Sequence, residues 1–371
     1  MSETALQPPR EAVSSGRSDW PWLVAVFWIT SMVEALGVSQ FYAFLPEYLR
    51  QLGASDAERL TLVGVFGALP FLIGLPLVPL WGVWADLYSR KAVVARSAFV
   101  EAVVFAGLAI VRTPAQLALP VLLVGFQLGN TGVMLAAIRD VSPLRRLGTV
   151  IAIFGASNAV GFAVGPLLGG WLIDVVGVGI PGVFALAAAL SVGTGLLVAV
   201  GTREVRPEVV PSGRVVRLAF GAVRSVVSNP HVRAIFAIYA VVFLANWMSR
   251  PFLPVIVERL AGPGPGLASS IGLVLGTAAL AGALVAPAGG WLGDRVGFRP
   301  VLRAAIGAVG LALLAIPFAS GLALLALLSV VLAAGVATAG SMVFGLLATE
   351  VPPERRSATL NLVYLPLYLA G

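Results

Sequence analysis

The residues in this chain that are best suited to chemistry are a few polar side chains within long apolar runs. Glu34 lies near the middle of the first run, and at helical spacing it shares a face with Phe27 and Phe41. A charged carboxylate in apolar surroundings is costly unless it is protonated, paired or hydrated. Glu34 is therefore a candidate for binding a proton or a substrate. The alternative is a structural acid that only hydrogen-bonds to a neighbouring helix.

Further polar residues follow the same helical spacing in later apolar runs. They are Gln127 and Asn130 on one face, and Tyr239, Asn246 and Arg250 on another. Amide side chains often only bond across helices, and an arginine can extend along apolar surface to reach water instead of contacting a substrate. Glu101 is central in the third run, where pairing between helices is the favoured interpretation.

The sequence contains few of the side chains that most enzymes use for catalysis. The chain contains no cysteine and one histidine, which excludes disulfides, thiolate nucleophiles and iron–sulfur clusters and disfavours histidine-based metal sites. No phosphate-binding loop is visible. We therefore predict a protein that is not an enzyme and that carries no cofactor and no metal.

The composition indicates the environment in which these residues work. Of the 371 residues, 59% are apolar and 11% are charged. Soluble domains are about 45–50% apolar and about 25% charged. The chain is therefore predicted to lie in a lipid bilayer, and a soluble enzyme or a disordered chain is disfavoured.

Apolar runs of membrane-spanning length recur along the sequence, since a helix needs about 20 residues to cross the hydrocarbon layer. The complete runs are 22–48, 60–84, 93–111, 115–138, 148–172, 181–201, 232–257, 268–292, 301–318 and 322–348, and another begins near Ala358. Without strict alternation of polar and apolar residues, the fold class is an all-α membrane bundle and not a barrel. Residues 1–20 are predicted to be a disordered cytoplasmic tail.

Basic residues predict the orientation. With the N-terminus inside, 19 of the 24 lysines and arginines fall on the cytoplasmic side. A multi-pass protein of the inner (plasma) membrane with a cytoplasmic N-terminus is expected. The net charge of +7 is explained by these loops, so nucleic acid is not an expected partner.

The chain also repeats itself. A shift of 208 residues aligns residues 44–46 with 252–254 and 82–91 with 290–299. Two parallel halves of six helices are therefore predicted, at 21–201 and 232–371, joined by a cytoplasmic linker at 202–231 with an amphipathic helix. The second half ends about 40 residues short of the first, as expected of a C-terminally truncated twelve-helix protein with about 10.5 helices present.

The chain resembles the major facilitator superfamily. Residues 82–91, GVWADLYSRK, are similar to that family's loop motif G-x-x-x-D-(R/K)-x-G-(R/K)-(R/K), and residues 290–299 form a second copy. The first copy departs from the motif at Leu87 and Ser89. The resemblance implies that these loops act as a conformational switch, through Gly82, Asp86, Arg90 and Lys91, and through Gly290, Asp294, Arg295 and Arg299. It also predicts Asp86 near Ser357 and Asp294 near Gly148.

The fifth run carries a second resemblance. Gly161, Gly165, Pro166, Gly169 and Gly170 are similar to a motif of the drug:proton antiporters in that superfamily, although a helix-packing pattern of small residues would look much the same. An earlier glycine of the motif is Ala152 here. A further antiporter motif departs at Val124 and Leu128, where an arginine and a glycine are usual.

The resemblance implies that the first, fourth, seventh and tenth helices line a central cavity. It predicts proton-coupled export of small amphipathic or drug-like compounds by alternating access, with Glu34 as the proton carrier. An importer or an exporter of sugars or metabolites is the alternative, favoured if Arg250 binds an anionic group, and a non-transporting receptor or scaffold is a remote one. The expected partners are a small-molecule substrate, protons and the lipid bilayer, with the chain acting as a monomer.

Overall fold

The computed structural model describes residues 20–207, 213–228, 230–350 and 369–370. These residues form helices and no strands. The helices are α1 (Trp20–Gln51), α2 (Asp56–Leu87), α3 (Arg90–Ile110), α4 (Ala118–Gln127), α5 (Asn130–Val141), α6 (Leu147–Trp171), α7 (Gly179–Gly201), α8 (Val215–Val227), α9 (Pro230–Ser249), α10 (Leu253–Ala261), α11 (Leu267–Val296), α12 (Phe298–Ala315) and α13 (Leu322–Glu350).

Ten of the described segments are long and apolar enough to cross a membrane. The ten complete spans predicted from the sequence are therefore confirmed, with α4 and α5 together making one crossing and α9 and α10 another. The predicted N-terminal tail, apart from Trp20, and nearly all of the predicted eleventh helix lie outside the described residues. Helix α8 lies in the linker and contacts α2 and α9.

Two crossings are interrupted, each for a local reason. The crossing formed by α4 and α5 breaks at Gly129, which has a φ of +99°, a conformation that glycine adopts far more readily than other residues. The crossing formed by α9 and α10 breaks between Ser249 and Leu253, where Pro251 has no backbone N–H to continue the helix. Interrupted helices leave backbone carbonyls available inside the bundle.

The helices form two halves that meet along α6 and α11. Within the first half α1 packs on α6 and α3 on α7, and in the second half α13 packs on α11 and α12. Gly272 and Gly276 of α11 approach the backbone of α6 so closely that a Cβ on either would collide with the carbonyl of Pro166 or Ala163. Small residues therefore make the contact between α6 and α11.

The bundle has two distinct ends. We call the end where α1 begins and α2 ends the basic end, and the opposite one the far end. At the far end the halves are joined by an ion pair between Arg59 Nη1 and Glu258 Oε2 at 2.7 Å. Deeper in the bundle, Trp247 of α9 packs edge-on against Tyr42 and Phe71, with ring centroids 5.3 Å and 5.1 Å apart. These contacts close the far end.

Candidate functional site

A cavity of about 880 Å³ lies between the halves and is lined by α1, α6, the α9–α10 crossing, α11 and α13. Its wall is mainly alanine, glycine, leucine and valine. Toward the basic end the wall includes Ala152, Gly155 and Gly290, and a Cβ added to either glycine would meet nothing within 4 Å. Toward the far end the wall reaches Pro166 and Leu253, which are buried. Because Ala152 and Gly155 are exposed while Pro166 and Leu253 are buried, the cavity opens toward the basic end.

Arg250 is the one charged side chain among the described residues that line this cavity. Its guanidinium carbon lies 4.0 Å from the centroid of the Phe162 ring and 5.5 Å from that of Trp247. Asn246, one helical turn earlier, lines the cavity beside it. Of the residues proposed from the sequence for substrate or proton binding, only Asn246 and Arg250 contribute to the cavity wall.

Glu34, Gln127 and Asn130 come together in a separate polar cluster inside the first half. Asn130 donates its Nδ2–H to Glu34 Oε2 at 2.7 Å, and the Gln127 side chain lies close to Glu34. Glu101 of α3 is buried at the edge of this cluster, within electrostatic range of Glu34. Its Oε1 atom has no hydrogen-bond partner among the described residues.

Arg96 completes the cluster, and the sequence analysis missed it. Its guanidinium lies 3.7 Å from the Trp81 ring centroid and within electrostatic range of Glu34. It donates weakly to the carbonyls of Gln127 and Leu128, at 3.4 Å and 3.5 Å, where α4 ends. Arg96 could have been identified from the sequence as a basic residue inside the third apolar run. The fourth apolar run lacks the arginine expected at Val124.

Three predicted site residues lie in the packed interior of the halves. Phe27 and Phe41 of α1 are 3% and 6% exposed, and Phe41 packs edge-on against Tyr42. Tyr239 is 4% exposed and packs against Phe243, with ring centroids 4.6 Å apart. None of the three lines the cavity, because the face that carries them points toward neighbouring helices.

The first copy of the loop motif builds an ion-pair network at the basic end. Arg90 is buried and pairs with Asp86 at 2.9 Å and with Asp140 of α5 at 2.7 Å. Lys91 Nζ donates to the Thr202 carbonyl at 2.7 Å. Gly82 approaches no other helix closely, since an added Cβ there would meet nothing within 4 Å. The network thus holds α2, α3, α5 and the end of α7 together within one half.

The second copy is arranged differently. Asp294 and Arg299 are exposed, and Arg295 stacks on Trp291 with 4.1 Å between its guanidinium carbon and the ring centroid. The neighbour predicted for Asp294, Gly148, is exposed and has open space around it. Ser357, predicted to lie near Asp86, is outside the described residues. No atom of Asp294 lies within 4 Å of the Cβ position at Gly148, so the predicted contact is not made in this state.

The glycine motif of α6 lies where this helix meets both α1 and the opposite half. Added Cβ atoms on Gly161, Gly165 and Gly169 would collide with α1, and one on Gly170 would collide with the Ala268 carbonyl of α11. Pro166 contributes its carbonyl to the contact with α11. The Gly165 carbonyl accepts from Gln40 Nε2 at 3.2 Å. Within the described residues there is no cluster of three or more histidine or acidic side chains that could hold a metal ion.

Comparison with known proteins agrees with this architecture. Residues 27–371 match the family model of the Major Facilitator Superfamily. The multidrug resistance protein MdtG of Dickeya zeae is 30% identical over 291 residues, covering 77% of this chain and 69% of the relative. MdtG of Proteus mirabilis is 28% identical over 292 residues, covering 78% of this chain and 71% of the relative.

Solved structures share the fold at lower identity. A bacterial homolog of the human lysosomal transporter Spinster, in an inward-facing and unoccupied conformation, aligns with a TM-score of 0.77 at 18% identity, covering 96% of this chain and 80% of that one. The nucleoside transporter NupG aligns with a TM-score of 0.72 at 19% identity, covering 93% and 88%.

Proposed function

Because the chain belongs to the major facilitator superfamily of secondary transporters, we propose that it exports small amphipathic or drug-like compounds in exchange for protons. The observation that carries the proposal is the cavity between the halves, open at one end and closed at the other by contacts across the halves. A transporter that works by alternating access passes through such a state. The printed name of the MdtG relatives, multidrug resistance protein, supports the export of drug-like compounds.

The orientation follows from the charges. The basic end carries most of the arginines, including Arg90, Arg145, Arg146 and Arg295, so this end faces the cytoplasm and the N-terminus lies there too. In this orientation the cavity receives substrate from the cytoplasmic side of the inner membrane. We expect the chain to act as a monomer, as the resemblance implies.

Transport requires the far end to open and the basic end to close. Opening the far end breaks the pair between Arg59 and Glu258 and separates Trp247 from Tyr42. Closing the basic end brings the end of α11, with Asp294, toward the start of α6, near Gly148. The loop motifs then contact the opposite half and stabilise the outward-open state, as the repeat predicts.

Proton coupling is assigned to Glu34. The residue lies on α1, which also lines the cavity through Ser39, about 7.5 Å further along the helix axis. When Glu34 binds a proton it loses its attraction to Arg96, while Asn130 can still donate to its oxygen. Protonation and substrate binding therefore both act on α1. If each ligand binds one of the two conformations of the transporter more tightly, the binding of one is coupled to that of the other.

The test is Glu34→Gln, which imitates the protonated acid at nearly constant shape. In proteoliposomes with a pH gradient, export of a fluorescent amphipathic dye should be lost, while binding of neutral compounds should persist. Glu101→Gln is the matched control, because Glu101 is a second buried acid in the same half. If Glu34→Gln still pumps dye against a gradient and Glu101→Gln does not, the proton site belongs to Glu101 and the assignment to Glu34 is wrong.

A further inference from the structure

The charge on the described wall of the cavity has a single sign. Arg250 is cationic, and no aspartate or glutamate is among the described residues that line the cavity. The other polar groups are neutral hydroxyls and an amide, on Ser39, Tyr42, Asn246 and Ser249, together with two serines of α13. A ligand in this cavity therefore meets one full charge on the described part of the wall, and that charge is positive.

Arg250 has no acidic partner within the described chain. No described carboxylate lies within ion-pair distance of it, and its side chain donates no hydrogen bond to a described residue. The acid nearest in sequence is Glu258, two helical turns further on, and it is paired with Arg59 at 2.7 Å. A partly buried guanidinium without a counterion is unfavourable, so an anionic ligand would stabilise it.

The aromatic neighbours orient the guanidinium for such a ligand. Phe162 approaches at 4.0 Å and Trp247 at 5.5 Å, so two aromatic rings lie against it. When a ring stacks on the face of a guanidinium, the N–H bonds lie in the plane of the group and stay available. In-plane N–H pairs match the two oxygens of a carboxylate, sulfonate or phosphonate.

The rest of the wall fits an apolar body. Side chains such as Val160, Leu275 and Leu332 form most of it, and the volume of about 880 Å³ is within the range of small-molecule sites. A ligand with one acidic headgroup and an apolar remainder would complement both parts of the cavity.

From these observations we infer that the cavity selects amphipathic organic anions and that Arg250 binds their acidic headgroup. This inference rests on the proposed transport function and specifies the substrate class of the same site. Cationic compounds of the same size meet repulsion from Arg250 and have no acid on the described wall to bind them. Neutral compounds can fill the apolar part of the cavity but leave the guanidinium without a counterion.

Three probes with one aromatic body and different charges test the inference. They are 2-naphthoate, 2-naphthamide and 2-naphthylmethylammonium, titrated by calorimetry into the purified full-length protein at neutral pH. A charge-assisted hydrogen bond in a partly dry site predicts that naphthoate binds about 10- to 100-fold more tightly than the amide. The ammonium compound should bind most weakly.

Variants show whether Arg250 is responsible. Arg250→Gln should bring the affinities for naphthoate and naphthamide within about threefold of each other, and Arg250→Lys should keep part of the preference. Arg259→Gln, which removes an exposed arginine on α10 outside the cavity wall, should leave the preference unchanged. A thermal melt within a few degrees of wild type shows that each variant is folded.

The outcomes separate this inference from the transport proposal. If wild type binds the three probes equally, or if Arg250→Gln keeps the preference for naphthoate, the inference is overturned even when proton-driven export of dye is observed. If naphthoate is preferred through Arg250 but no compound moves against its gradient in proteoliposomes, the substrate class stands and proton-driven export fails.

Discussion

Replacing Arg59 by glutamine should shift the protein from the state open at the basic end to the state open at the far end. Arg59 Nη1 lies 2.7 Å from Glu258 Oε2, and the two side chains are 9% and 12% exposed. They lie on opposite halves, so the pair exists only while the far end is closed. Removing it destabilises that closed state and leaves the alternative state, in which both groups are hydrated, almost unaffected.

The magnitude follows from burial. Removing one partner of a fully buried ion pair costs about 3–5 kcal/mol. This pair lies at the end of the bundle, and Arg50, at 4.0 Å from Glu258, would keep part of the attraction, so about 2 kcal/mol is a reasonable expectation. That corresponds to about a 30-fold change in the ratio of the two states. Asp56 also pairs with Arg59, at 3.1 Å, but it is 90% exposed, so Asp56→Asn should change the ratio by about twofold or less.

The chain is well suited to measuring this shift because it contains no cysteine. Spin labels on cysteines introduced at Ala57 and Ala261 would report the far end, and labels at Arg145 and Val296 the basic end; all four positions are exposed. In Arg59→Gln the far-end distance distribution should gain a longer component while the basic-end distribution gains a shorter one. Unchanged distributions, or a shift as large in Asp56→Asn, would refute the reasoning.

Two further variants test contacts between helices and at the start of a helix. Gly165→Ala should lower the melting temperature and reduce transport, because its Cβ would lie 2.6 Å from the Leu36 carbonyl and overpacking costs about 1–3 kcal/mol. Gly193→Ala, in open space on α7, is the control. Equal melting temperatures for the two variants would contradict the close contact at Gly165. Glu204→Gln should destabilise the start of α3 by about 1 kcal/mol, measured as a lower melting temperature that is less sensitive to added salt, because this carboxylate accepts the Arg90 N–H at 2.8 Å.

The architecture could be predicted from the sequence because its causes are local. Each crossing is an apolar run long enough to span the hydrocarbon layer, and each run must form a helix to satisfy its own backbone. The glycines of α6 could be identified for the same reason, since only residues without a side chain permit the spacing at which α6 contacts α1 and α11. The family also follows from short motifs whose residues are consecutive in the chain.

Which polar residues meet was decided only by the tertiary structure. Helical spacing shows that Phe41 and Glu34 share a face of α1, but not which neighbour that face contacts. In the structure Glu34 bonds to Asn130 and lies within electrostatic range of Arg96 inside the first half, while Arg250 is the one charged side chain among the described residues that line the cavity. The rotation and depth of each helix determine these partners. Both depend on side chains distant in sequence that pack together only when the bundle is complete.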